Sequence, residues 1–216
     1  MRAIRIGLTG PIGCGKSTVA AQLGGYGLVL VDADDVAREV VEPGSTGFDA
    51  VVAAFGRELV TADGSLDRAA LGRVVFADPE ALRRLERIVH PLVRPKILER
   101  AIDADTDGAP GVVIEAIKLV EGGLATMCDE VWLVVCDPAR QLQRLAERGV
   151  DDTTARQRID AQGDIADRLR PAATRLLDTS GSLEATRVAV EDAWKAAVYA
   201  AIERSLSPGG GAGLAH

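Results

Sequence analysis

Short apolar runs alternate with longer stretches of helical period along the chain. IRIGLT (4–9) is apolar and ends in a glycine-rich turn, as a buried strand does. STVAAQLGGYG (17–27) follows with helical spacing and is closed by Gly24-Gly25. LVLVDAD (28–34) is a second strand that runs into two carboxylates. VVIEA (112–116), EVWLVVCD (130–137) and the weaker RLLDTSG (175–181) complete the set, with helical patterns between them. Apolar runs without polar alternation belong to strands covered on both faces. The pattern therefore predicts an α/β fold: a five-stranded parallel sheet sandwiched between helical layers.

The stretch from about 44 to 110 has no strand pattern and reads as consecutive helices. Asp67 is a plausible N-cap there, and Asp78-Pro79 has the form of a cap followed by a first-turn proline. Pro91 is expected to break or kink its helix at His90. This block predicts an inserted helical lobe for a second substrate, on a core of about 1–43 and 111–206. Residues 139–172 are helical and rich in arginine, SLEATRVAVEDAWKAAVYAAIERSL (182–206) is a long terminal helix, and SPGGGAGLAH (207–216) is expected to be a flexible tail. Residues 1–206 thus form one domain with a lobe and an arginine-rich segment.

Composition narrows the classes. With 216 residues and 47% hydrophobic content the chain suits one core with an appended lobe. A net charge of −7 and 3% aromatics argue against nucleic acid as the main partner, since phosphate backbones need clustered cations and single strands need stacking platforms. No apolar run reaches about 18 residues and no signal-peptide pattern opens the chain, so a cytoplasmic protein with no membrane partner is expected. Cys14, Cys128 and Cys136 lack CxxC spacing, which suggests neither disulfides nor a zinc site.

The sharpest chemistry lies at the front. Gly10-Pro11-Ile12-Gly13-Cys14-Gly15-Lys16-Ser17 fits G-x-x-x-x-G-K-[ST] at every fixed position, between a strand and a helix. In that setting the loop N–H groups from Gly13 through Thr18, with the helix N-terminus, converge on a triphosphate. Lys16 reaches its β- and γ-phosphates, Ser17 ligates Mg²⁺ and Thr18 touches the α-phosphate. Cys14 reads as filler within this loop rather than as a redox switch. Asp32 and Asp34 follow the second strand. Two apart in an extended segment they share a face, and one could take a proton from an acceptor hydroxyl while the other holds water on Mg²⁺. Helix capping by Asp34 or Asp35 is the bland alternative. A kinase, a nucleotide switch and a motor ATPase all use such a loop. No N-K-x-D guanine reader follows the fourth strand; Glu115, ending VVIEA, imitates the strand-end carboxylate of a motor.

GLTGPIGCGKSTVA, VDADDVAREVVEPG and LDRAALGRVVFADPEALRRLERIVHP, in that order and spacing, resemble the dephospho-CoA kinase family of P-loop kinases. The similarity runs from about residue 4 to the 190s, and the second and third stretches carry its selectivity. The resemblance implies a Mg²⁺-dependent enzyme that transfers the γ-phosphate of ATP to the ribose 3′-hydroxyl of dephospho-CoA. It also implies a P-loop three-layer sandwich, makes 44–110 the CoA-binding lobe and 139–172 the lid. Asp34 becomes the catalytic base, with Asp32 near Mg²⁺, Arg38 and His90 toward the acceptor, and Arg144 and Arg168 clamping phosphates beside Lys16. Another P-loop metabolite kinase, acting on a nucleoside monophosphate or a sugar, is the alternative. The chain departs from the family's P-L-L-F-E run at Ile117–Glu121 and from its I-x-N-x-G run at Leu177–Gly181.

Overall fold

A computed structural model describes residues 2–206; the tail expected at 207–216 lies outside them. In chain order the elements are β1 (Ile4–Thr9), α1 (Lys16–Gly24), β2 (Val29–Asp32), α2 (Ala33–Glu39), α3 (Thr46–Phe55), α4 (Arg68–Ala77), α5 (Pro79–Thr106), β3 (Gly111–Glu115), β4 (Glu130–Val135), α6 (Pro138–Glu147), α7 (Asp152–Gln162), α8 (Ile165–Leu169), β5 (Arg175–Asp178) and α9 (Leu183–Leu206). The chain divides into two compact units, residues 1–30 with 108 onward, and residues 31–107. The helical unit thus begins inside β2, not near residue 44, so Asp32, Asp34 and Arg38 belong to it.

The first unit is built on the expected five-stranded parallel sheet, in the order β2-β3-β1-β4-β5. β1 pairs with β3 in the register Leu8↔Glu115 and with β4 in the register Thr9↔Leu133. Alternate residues of β4 serve opposite faces. Trp132 and Val134, with Ile6 and Leu8 of β1, pack with Val19 and Leu23 of α1 and Val190 and Trp194 of α9. Leu133 instead meets Ile165 and Leu169 of α8. Both faces are therefore covered, which explains why these strands read as continuous apolar runs. Leu8, Trp132 and Leu133 are fully buried, and truncating such a side chain costs about 2–5 kcal/mol.

The second unit packs α3, α4 and α5 around Val41, Val51, Leu59, Leu71, Val75 and Ala81, with α2 against α5. Two caps fall where expected. Asp67 accepts from the Ala70 N–H at 2.8 Å, and Asp78 accepts from the Glu80 N–H at 2.8 Å with Pro79 in the first turn. The break at His90 does not occur: α5 runs unbroken for 28 residues through Pro91 and Pro95. Both prolines, and Arg87 one turn before Pro91, are exposed, so the carbonyls they leave unbonded lie on the solvent side. Val93, Ile97, Ala101 and Ala104 hold the opposite side in the core.

Candidate active site

The octet forms the loop its glycines demand. Gly10 (φ 143°) runs so close to β4 that a Cβ there would collide with the Val134 carbonyl. Gly15 (φ 86°) turns the chain into α1, a conformation open to glycine alone at low cost. Lys16, Ser17 and Thr18 then open the helix, where N–H groups have no partner within the helix and attract anions. Lys16 is buried, at 8% exposure, and its ammonium donates to the carbonyls of Gly10 (3.0 Å) and Pro11 (3.2 Å). Its position at the loop is thereby preset. Ser17 Oγ lies 3.5 Å from Glu115 Oε1 at the end of β3. Two oxygens so spaced suit a shared hard cation better than a strong hydrogen bond.

Arg144, in the last turn of α6, lies beside this loop at Gly15. Its Nη1 donates to Thr179 Oγ1 (2.9 Å) and its Nη2 to the Thr179 carbonyl (2.7 Å). Gly15, Thr18, Arg144, Thr179, Leu183 and Thr186 line a cavity of about 200 Å³ beside it. Arg168 stands elsewhere. It is exposed on α8 and donates to the Gln162 carbonyl at 3.2 Å.

Several supports of the loop carry no motif. Thr179 is buried, and its hydroxyl donates to the Cys14 carbonyl at 2.7 Å while also reaching the Val135 carbonyl at 3.2 Å. Gln141 Nε2 donates to the Ile12 carbonyl at 2.7 Å, and Gln162 Oε1 accepts from the Ile12 N–H at 2.9 Å. Next to Thr179, the Ser180 hydroxyl and N–H hold the Asp178 carboxyl below its ordinary range. The expectation of no disulfides is overturned: Cys14 is bonded to Cys136, 122 residues away. Because β1 and β4 are neighbours in the sheet, the loop after β1 meets the residue that follows β4, an adjacency spacing cannot reveal. Cys128 is free, and burial pushes its thiol up to about 12.

In the helical unit, Asp32 is itself the cap of α2, with Oδ1 accepting from the N–H groups of Asp34 (2.7 Å) and Asp35 (3.4 Å). Asp34 is therefore a first-turn helical residue, not part of an extended segment, and neither it nor Asp35 is the cap. Arg38 is exposed and pairs with Asp35 at 2.7 Å. His90 is an exposed residue within α5.

Thr179→Val keeps the shape and removes the hydroxyl, leaving the Cys14 carbonyl and Arg144 Nη1 without it. A loss of about 1–3 kcal/mol of stability is expected, a drop of about 2–12 °C in melting temperature, with a raised KM for ATP. Thr179→Ser should stay near wild type. Equal behaviour of the two variants in thermal unfolding and nucleotide titration would remove the hydroxyl from this role.

The dephospho-CoA kinase family model matches residues 4–185. The chain is 45% identical to a dephospho-CoA kinase of Symbiobacterium thermophilum over 193 residues, 89% of this chain and 80% of that protein. It is 46% identical to one of Streptomyces avermitilis over 202 residues, 92% and 96% of the two chains. Among solved structures, a dephospho-CoA kinase of Campylobacter jejuni superposes with a TM-score of 0.66 at 25% identity, over 88% of this chain and 95% of that one. A shikimate kinase of Acinetobacter baumannii (TM-score 0.51, 15% identity, 92% and 94% covered) shares the fold. On these matches, which span the phosphate loop, the D-A-D stretch and the helical unit, the chain belongs to the dephospho-CoA kinase family.

Proposed function

We infer that the protein transfers the γ-phosphoryl group of ATP to the ribose 3′-hydroxyl of dephospho-CoA, giving CoA and ADP, the last step of CoA synthesis. The single observation that carries the donor half is the loop itself: a helix N-terminus that follows a left-handed Gly15, with the buried Lys16 braced on the loop carbonyls of Gly10 and Pro11. Family membership carries the acceptor.

In this reading the N–H groups from Gly13 to Thr18 cradle the phosphates, and Lys16 supplies charge at the β- and γ-oxygens. Arg144, held by Thr179, presents its guanidinium to charge that develops during transfer. The nucleoside lies in the cavity of Thr18, Leu183 and Thr186. Asp34 accepts the proton of the attacking hydroxyl, and Arg38 and His90 serve the acceptor. Arg168 acts from the lid. Ser17 and Glu115 fit Mg²⁺, an ion that takes one or two protein oxygens and completes its shell with phosphate and water. Among the described residues no cluster of three or more His, Cys, Asp or Glu could hold a metal ion. When bound, Mg²⁺ neutralises charge between the β- and γ-phosphates. Asp32, committed to capping through Oδ1, bears on Mg²⁺ through water. None of the helices among the described residues is long and apolar enough to cross a membrane, and a cytoplasmic site of action belongs to the same reading.

A coupled ADP-release assay over dephospho-CoA, AMP, UMP, gluconate and shikimate tests the acceptor. Dephospho-CoA is expected to exceed every other acceptor by at least about 100-fold in kcat/KM, since a site built to pair polar groups rejects compounds lacking them by 10⁴ or more. Turnover on another acceptor, with dephospho-CoA at the ATPase background, would sink the reading.

A further inference from the structure

Of the molecule's features outside the chemistry above, the Cys14–Cys136 bond carries an inference furthest. Cys14 is the residue between Gly13 and Gly15, inside the phosphate loop, and is 1% exposed. Its partner directly follows β4 and is only partly buried. The two Cα atoms are 5.1 Å apart, within the span a disulfide bridges without backbone movement. Around the bond the loop is ordered: Gly15 is left-handed, Lys16 is braced on Gly10 and Pro11, and the Cys14 carbonyl is held by Thr179. The bond and the braced loop are thus compatible in one conformation.

Two consequences follow. Tying Cys14 to a sheet strand removes freedom from the loop in the shape that ATP selects, and such pre-organisation strengthens binding. Chemically, a thiol in this loop is a hazard. Successive oxidation would force a bulky, anionic sulfinate into the apolar core beneath the loop, where Cys14 packs, and so distort the cradle above it; that product is not reversed by thiols. A neighbouring cysteine that captures the first oxidation product as a disulfide prevents this.

We propose that Cys14 and Cys136 form a reversible disulfide latch that holds the phosphate loop in its nucleotide-binding shape and shields Cys14 from irreversible oxidation by peroxides. The inference rests on the nucleotide-binding reading of the loop. In the forming step one thiolate attacks a peroxide oxygen, giving a sulfenic acid and releasing one water. The second thiol's sulfur then displaces the sulfenic oxygen as a second water, forming the S–S bond. Two thiols lose two protons and two electrons in all, and one hydrogen peroxide takes them up to become two waters. A low-molecular-weight thiol restores the pair by exchange, entering at the more exposed Cys136. Cys128, half-buried and with its thiol held protonated, stays outside this chemistry.

The test uses the full chain, first reduced with dithiothreitol and then treated with stoichiometric hydrogen peroxide. Intact mass and peptide mapping follow the loss of two hydrogens at Cys14 and Cys136. ATP binding is measured by calorimetry without acceptor, so that failure of the acceptor assignment does not touch the readout. The oxidised wild type is expected to bind ATP about three- to tenfold more tightly than the reduced form. It should also melt about 5–15 °C higher, as closure of so long a loop implies. Cys136→Ala should equal the reduced wild type before treatment. Under excess peroxide it should lose ATP binding, with sulfinate at Cys14 and no recovery in dithiothreitol, whereas the wild type keeps or recovers binding. Cys136→Ser serves as the second variant if Cys136→Ala melts early. The proposal is overturned if the bond fails to form, if its formation weakens ATP binding (an inhibitory switch), or if both variants withstand peroxide as well as the wild type does.

Discussion

Lys16→Met is expected to lower kcat for phosphoryl transfer about 10³-fold, while the dissociation constant of ATP rises by about tenfold or less. The asymmetry follows from where the ammonium sits. Two of its three donors rest on the Gly10 and Pro11 carbonyls, so its position is set before substrate arrives and no reorganisation accompanies the reaction. Ground-state ATP is still held by the loop N–H groups and the helix N-terminus, which the substitution leaves in place. What is lost is a buried positive charge beside oxygens whose charge changes during transfer, and a charge held away from water interacts more strongly than one at the surface. Lys16→Arg should not rescue it, because a planar fork cannot reproduce a compact ammonium bridging two carbonyls. Removing the ammonium also leaves the Gly10 and Pro11 carbonyls short of a donor, so thermal unfolding must accompany the kinetics. Pre-steady-state kinetics with calorimetric ATP binding check the split. A melting point lowered with kcat unchanged would make Lys16 a brace for the loop and nothing more.

The parts of this molecule legible in its sequence are those governed by local rules. IRIGLT and EVWLVVCD read as strands because both faces of β1 and β4 are covered, and covered strands have no polar alternation to confuse with a helix. Asp67 and Asp78 read as caps because a cap is a contact across two or three residues. The same rule misjudged Asp34 and Asp35, since β2 ends at Asp32 and the helix starts one residue later, which hands the cap to Asp32. The break expected at Pro91 is absent for a different reason: the cost of a proline depends on whether the carbonyl it strips faces water, and that is a tertiary fact. The loop's supports were illegible for the same kind of reason. Thr179, Gln141 and Gln162 meet Cys14 and Ile12 from elements 129 or more residues away, and only the sheet order brings Cys136 to Cys14.

Asp34→Asn should lower kcat about 10²- to 10³-fold with ATP binding unchanged within about twofold. Asparagine keeps the size and the hydrogen-bonding reach of the side chain but cannot accept the acceptor's proton. The expected loss is smaller than for Lys16, because phosphoryl transfer proceeds through a loose transition state in which the hydroxyl is deprotonated late. Position in the fold gives this variant a built-in control. Asp34 stands in the first turn of α2, where a carboxylate interacts favourably with the helix dipole by only about 0.3–1 kcal/mol, whereas Asp32 makes the capping bonds. Asp32→Ala should therefore cost about 0.5–2 kcal/mol of stability, and Asp34→Asn much less. A base at Asp34 predicts low kcat with a nearly native melting point; a merely structural carboxylate predicts the reverse order, with the larger melting shift at Asp34 and activity falling only in step with it. Measuring kcat, ATP affinity and melting temperature on both variants decides between them, because no single structural defect lowers turnover at Asp34 while leaving both nucleotide binding and stability intact.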